Sequence, residues 1–272
     1  MAQKKLSVYG NLVSTANNKV ENLYLVVDHQ SIVFVVKNRL LNEFVAIEHF
    51  VNTPDQPGWN QLIGYLQNNS TLIHSVFNKI YFVMNSARMI LTKEHAVDDS
   101  LQYANELQLV FGIEPAEEIY TTTIDAKHFL VYGVPDELSS LLTRTFPTGK
   151  WQHYASFLLQ NNSVNELQLV LFDAHFMIHI KEQGETKLLN HYPLGEKDQN
   201  IYMVLNACIQ SGVDTNTVNL KVIGQPQDHA AFVQTLIPYF MSATVANIND
   251  AGIGAAINKE NPNPTYAPYF IF

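Results

Sequence analysis

One cysteine, Cys208, stands in 272 residues. No intramolecular disulfide can form, which fits a reducing compartment, and a cytoplasmic location is expected. Cations are also scarce: 16 Lys and Arg against 25 Asp and Glu, for a formal net charge of −9. Binding nucleic acid through its phosphates requires clustered Lys and Arg. Lys4-Lys5 is the only basic pair in the chain, so no nucleic-acid partner is expected. Long apolar runs are missing too. Ile80–Met84 is typical in length and falls far short of a membrane span, so no membrane partner is expected. The first residues, MAQKKLSVYGNLVS, carry two lysines but no apolar stretch behind them, so no signal peptide is expected. No G-x-S-x-G elbow, Walker loop or G-x-G-x-x-G occurs.

What is present is a rich supply of core. Hydrophobic residues make up 47% of the chain and charged residues 15%, which excludes global disorder. Leu23–Val27 and Ile32–Val36 read as two strands flanking Asp28-His29-Gln30-Ser31, and Leu40–Val51 as a third. Thr53-Pro54-Asp55-Gln56-Pro57-Gly58 breaks the pattern. Trp59, Leu62, Ile63 and Leu66 then fall at helical spacing, and Asn78–Asn85 reads as a strand. Tyr103, Leu107, Val110 and Phe111 predict one face of a second helix, with Gly112 at its C-terminal cap.

The second half restarts this order. Glu118–Ile124 and Lys127–Gly133 read as strands, and Pro135 opens a helix with Leu138, Leu141 and Leu142 inward. Tyr154–Leu159 reads as a short helix. Glu166–Phe172, Phe176–Lys181 and Lys187–Tyr192 read as strands, the first two joined through Asp173-Ala174-His175. Asp198 caps a helix carrying Ile201, Val204, Leu205, Cys208 and Ile209. Val218–Ile223 is a strand running into Gly224, and Asp228 caps a last helix that Pro238 stops. "LVVDHQSIVFVVK" and "LVLFDAHFMIHIK" share one plan: strand, Asp, turn, strand, Lys. The reading is an internal duplication of mixed α/β sheets. Its parts are a loosely packed lead-in (1–21), a first lobe (22–123), a second lobe (124–249) and a tail rich in Gly, Asn and Pro (250–272) that ends in Tyr269-Phe270-Ile271-Phe272.

The layout resembles the actin-like ATPase fold, the duplicated two-lobe branch of the ribonuclease H-like architecture. It is similar to the pilus-assembly and cell-division actin homologues. It is more similar still to an uncharacterised bacterial family of unknown function with this fold. "FLVYGVPDEL", "FPTGKWQHYASFLL", "LLNHYPLGEKDQNIYMVLNACIQ" and "LKVIGQ" carry that resemblance, in order, over nearly the whole chain. The resemblance implies a nucleotide site with Asp28, Ser31, Asp173 and Gly224 at its phosphate- and adenosine-binding positions. In the superfamily those turns are rich in glycine, because backbone N–H groups must approach phosphate closely. Here His29 and Gln30 follow the first aspartate, Ala174, His175 and Phe176 the second, and Gly224 stands without a second glycine.

The expectation is therefore a degenerate nucleotide site with no catalytic residue and no cofactor, in a non-catalytic scaffold that binds a protein partner. The alternative is a divergent Mg-dependent ATPase holding residual ATP and Mg²⁺ through Asp28 and Asp173. Without a nucleotide, each aspartate has a plainer task in capping its turn. Asp173, His175 and His179 form the best metal-like constellation, although half-buried strand histidines explain the same pattern. Cys208 lies on the apolar stripe of its helix and reads as core. Asp98-Asp99 and Glu117-Glu118 read as solvated charge.

Overall fold

The computed structural model describes residues 2–10, 20–52, 58–93, 100–114, 116–126, 128–160, 163–224, 229–246, 252–254, 257 and 264–272. Residues 11–19 of the lead-in, the break at 53–57, Asp98-Asp99, the strand start at Lys127 and the cap at Asp228 lie outside them. The chain divides into two compact units, Met1–Ser156 with Gly254–Glu260, and Phe157–Ile253 with Asn261–Phe272.

In the first unit the apolar runs become strands, because β-branched and aromatic residues fit a pleated surface buried on both faces. Gln3–Tyr9 (β1), Glu21–Asp28 (β2), Ser31–Asn38 (β3) and Glu43–Val51 (β4) are followed by helix Trp59–Asn69 (α1) and Lys79–Met84 (β5). Then come Met89–Lys93 (β6), helix Ser100–Phe111 (α2), Glu117–Thr123 (β7), His128–Pro135 (β8), helix Asp136–Thr145 (α3), Lys150–His153 (β9) and the short helix Ala155–Leu159 (α4). The main sheet has the order β1-β4-β3-β2-β5-β9. β2 pairs antiparallel with β3 and parallel with β5, and β5 pairs parallel with β9. Leu25, Val26, Ile32, Phe34 and Phe82 are wholly buried. Each contributes about 1.5–3 kcal/mol relative to an exposed side chain.

The lead-in is not loosely packed where it is described. β1 pairs antiparallel with β4, from Gln3 opposite Val51 to Tyr9 opposite Ala46. Its anchor is the buried carboxylate of Glu48. That group accepts hydrogen bonds from Lys4 Nζ (3.3 Å) and Thr71 N (3.1 Å), and also from Tyr9 Oη and Ser70 Oγ. A buried carboxylate needs such a set, since left unpaired it would cost several kcal/mol.

β6, β8 and β7 form a separate three-stranded sheet within the first unit. The strands that read as the restart of the pattern therefore belong to a module set between β5 and α3. α2 lays Tyr103 and Leu107 on this sheet, and the Tyr103 ring lies 6.4 Å from Phe129. Val110 and Phe111, expected to face inward, are exposed instead. Glu117 and Glu118 are not merely solvated. Arg88 donates to Glu117 through Nε (2.7 Å) and Nη2 (2.5 Å), while Tyr120 Oη (2.5 Å) and Ser139 Oγ (2.7 Å) donate to Glu118.

The second unit runs Glu166–Leu171 (β10), His175–Glu182 (β11), Glu185–Pro193 (β12), helix Lys197–Gln210 (α5), Asn219–Ile223 (β13), helix Ala230–Leu236 (α6) and Ser242–Val245 (β14). Its sheet order is β12-β11-β10-β13-β14. Alternate residues Leu167, Leu169, Leu171 and Phe176, Ile178, Ile180 meet Val204, Cys208, Phe232, Val233 and Leu236 in one core. Asp198 lies in the first turn of α5 rather than at its cap, and Ile209 faces solvent. The chain closes with a 3₁₀ segment, Pro264–Phe270. No described helix is long and apolar enough to cross a membrane.

Candidate functional site at the carboxyl ends of the parallel strands

The units share one five-strand order: β4-β3-β2-β5-β9 in the first, β12-β11-β10-β13-β14 in the second. In open α/β sheets ligands bind beyond the carboxyl ends of the parallel strands. In the first unit that edge is the end of β2 and β5. Asp28 pairs with Ser31, leaving His29 and Gln30 as a two-residue turn. His29 N donates to Asp28 Oδ1 at 2.7 Å, and Asn85 Nδ2 lies 3.5 Å from Asp28 Oδ2. Asn85 N also donates to Val27 O at 2.8 Å. The Asp28 carboxylate thus caps its own turn and meets the residue that follows β5. Ser31 is half-buried and pairs with Val51 on its other side.

In the second unit the hairpin closes one residue earlier relative to its aspartate. Leu171 pairs with Phe176, and Phe172 N donates to His175 O at 2.9 Å. The turn residues are Asp173 and Ala174. Two further pairings give the same register. Asn52 N donates to Gln30 O as Leu194 N donates to Ala174 O, and Val26 faces Val83 as Val170 faces Ile223. The structural counterpart of Asp28 is therefore Phe172, that of Ser31 is His175, and that of Gly224 is Met84. Asp28 and Asp173, which look equivalent in sequence, are one position out of step.

Phe172 is buried, stacked on His175 at 4.7 Å and edge-on to Tyr269 at 6.1 Å. Asp173 is exposed. Its charge adds to the burial that pushes the Tyr266 phenol up to about 12. Gly224 has φ of +86°, a left-handed conformation that disfavours any side chain. A Cβ there would lie 2.5 Å from Leu171 O and 2.8 Å from Pro268 Cγ. Gly224 is thus glycine because its backbone is left-handed and because Leu171 O and the seated Pro264–Phe270 segment leave no room for a Cβ. Ala267, Tyr269 and Phe270 are buried, and the Phe272 ring packs on Phe157 at 4.8 Å. This seat was the feature sequence reading missed, although Tyr269-Phe270-Ile271-Phe272 was an apolar signal for it.

The constellation Asp173, His175 and His179 is not assembled. His179 sits in mid-strand with its ring nitrogens 3.1 Å from Gln168 Oε1 and 3.1 Å from Thr186 Oγ1. Burial, helped by the Lys181 charge, lowers its pKa to about 4, so the ring is neutral. Among the described residues no group of three or more His, Cys, Asp or Glu is placed to hold a metal. Cys208 is core: burial raises its thiol to about 11, so it is not a thiolate at neutral pH. His153, at the end of β9, is fully buried and lowered by desolvation to about 3. Its Nδ1 accepts from Ala155 N at 3.2 Å and its Nε2 donates to Ser86 O at 3.1 Å, a set that fits only the neutral ring.

This repeated sheet is that of the actin-like ATPase fold. A Bacteroides thetaiotaomicron protein with actin-like ATPase fold and unknown function superposes with a TM-score of 0.75 at 10% identity, covering 90% of this chain and 98% of that one. The PilM–PilN type IV pilus biogenesis complex contributes a chain that superposes with a TM-score of 0.56 at 12% identity, over 93% of this chain and 98% of that one. The chain belongs to the DUF3822 family, proteins of unknown function, whose pattern matches residues 11–242. The resemblance read from the sequence, to an uncharacterised family with this fold and to pilus-assembly homologues, holds. No curated protein matches the chain.

Proposed function

We propose that this protein is a non-catalytic actin-like interaction module whose nucleotide site has been lost. The observation that carries this reading is the seat of Pro264–Phe270 on Gly224, at the carboxyl ends of β10 and β13. A nucleotide bound in the manner of the fold would need the approach that Pro268 occupies. The residues around it also fit phosphate poorly. Met84 stands at the position of Gly224 in the first unit, and neither hairpin turn contains glycine. Phe172, in place of a carboxylate, supplies no ligand for Mg²⁺. The task left to such a module is to present surfaces to a protein partner.

Calorimetry with Mg-ATP tests the reading. The expected affinity is weaker than about 1 mM, equivalent to roughly −4 kcal/mol. Micromolar binding abolished by Asp28→Ala or Asp173→Ala would replace this reading with a divergent Mg-dependent ATPase.

A further inference from the structure

The C-terminal end of α2 presents four apolar side chains to solvent. Leu109 is 86% exposed, Val110 63%, Phe111 40% and, just past the helix, Ile113 79%. Exposed apolar residues taken singly are ordinary, whereas four within five residues at one helix end mark a contact surface. Fraying does not account for this one, because the segment is pinned. Gly112 N donates to Gln108 O at 2.8 Å, and Gly112 takes φ of +80°, a left-handed helix end. Arg88 Nη2 donates to Gly112 O at 2.9 Å while the guanidinium holds Glu117 through two nitrogens and lies 5.8 Å from the Phe111 ring centroid. Arg88 thus ties the helix end to the start of β7, covers part of the Phe111 ring and leaves Leu109, Val110 and Ile113 exposed on a pinned segment.

The charge around this knuckle has one sign to offer. Glu106 lies one turn before Val110 on α2, and Glu114 follows Ile113, close enough to raise the Arg88 pKa together with Glu117. Glu118, the next residue on β7, faces the other side of that sheet, where Tyr120 and Ser139 donate to it, and is not part of this rim. The guanidinium is already committed to Glu117. An anionic lipid surface or a nucleic acid would be repelled by this rim, as by the net charge of −9.

We infer that the α2 end is the docking site for an amphipathic helix of a partner protein, with an apolar face for Leu109, Val110, Phe111 and Ile113 and lysines or arginines to meet the carboxylates. This rests on the reading of the protein as an interaction module and names the chemistry of its partner. The probe is a labelled 14-residue Leu/Lys amphipathic peptide, titrated by fluorescence anisotropy into the full chain. Binding is expected, with at least a tenfold loss in Leu109→Ser/Ile113→Ser, a comparable loss in 0.5 M NaCl, and none in Tyr202→Ser/Ile209→Ser, which removes exposed apolar residues of α5 instead. The same peptide with Glu for Lys is expected not to bind.

Equal affinity of wild type and Leu109→Ser/Ile113→Ser would overturn the site. Equal binding of the acidic peptide would overturn the charge argument. Self-association abolished by the α2 substitutions would make the occupant a second copy, and flotation with phosphatidylserine vesicles would make it a membrane; either ends the proposal. Mg-ATP calorimetry on the same samples separates the two readings. Tight nucleotide binding strikes the module reading whatever the peptide does, and peptide failure with weak nucleotide binding strikes this inference alone.

Discussion

The two units build the same five-strand order and finish the carboxyl ends of its parallel strands in opposite ways. At the end of β2 the first unit keeps a carboxylate, Asp28, hydrogen-bonded to its own turn and near Asn85. At the matching position the second unit has Phe172, packed between His175 and Tyr269. Beside the first stands Met84, beside the second Gly224 with proline laid on it. The strand order is retained while the chemistry at the strand ends has diverged. The sheet is held by buried apolar contacts that tolerate no change of pattern, whereas the turn residues answer only to local hydrogen bonds.

The largest expected effect tests the glycine that distinguishes the second unit. Gly224→Val places a β-branched residue at positive φ against Leu171 O and Pro268, at a cost of about 3–5 kcal/mol. Met84→Leu, at the matching position, should cost less than about 1.5 kcal/mol. Urea denaturation of both variants measures the contrast, and equal losses would remove the seat as the reason for Gly224.

Each unit also holds a buried histidine whose pKa is strongly lowered, His153 in the first and His179 in the second. Their folded pKa values, about 3 and about 4, lie below the unfolded value. The unfolded chain therefore binds more protons in this window. Their stabilisation is fully present above about pH 6.5 and is lost as pH falls toward about 4 for His179 and about 3 for His153. Between pH 7 and pH 5 the two together should remove roughly 3–4 kcal/mol from the unfolding free energy. If the units unfold separately, each transition should carry about half. A flat profile would mean that neither ring is held neutral.

Cys208→Ser should cost about 1–3 kcal/mol, because a hydroxyl in the apolar core of the second unit lacks a partner. The loss should appear in that unit's unfolding, with peptide binding at α2 unchanged. The smallest effect separates the two aspartates. Asp28→Ala loses a turn cap and should cost about 1 kcal/mol, while Asp173→Ala, at an exposed position, should stay within about 0.5 kcal/mol. Equal costs in thermal melts would restore the equivalence that their sequence context suggests.

Most of the sheet was legible because its central strands are buried on both faces and read as unbroken apolar runs. β1 was not. Gln3–Tyr9 opens on three polar residues, Gln3-Lys4-Lys5, that break any alternation, and its stability comes from pairing with β4 and from the Glu48 network, both distant in sequence. β6 was not read, and β7 and β8 were misread as a second beginning, since strand signals do not say which neighbour a strand will find. At the site, matching aspartate to aspartate hid the one-residue shift, which the Phe172–His175 and Leu171–Phe176 pairings reveal. Helical spacing placed Val110 and Phe111 inward. Spacing gives the face of a helix but not where the supporting sheet ends.

The module spliced between β5 and α3 also sets the order in which the molecule can assemble. Tyr81 on β5 must find Lys150 on β9, while Asn219 on β13 has only to find Ser242 on β14. The second loop is roughly a third as long, so closing the first costs about 1 kcal/mol more in chain entropy. During synthesis the open side of β5 waits, its N–H and C=O groups unpaired, until the inserted strands have emerged and folded upon themselves. In that interval the edge of β5 is open to pairing with another chain.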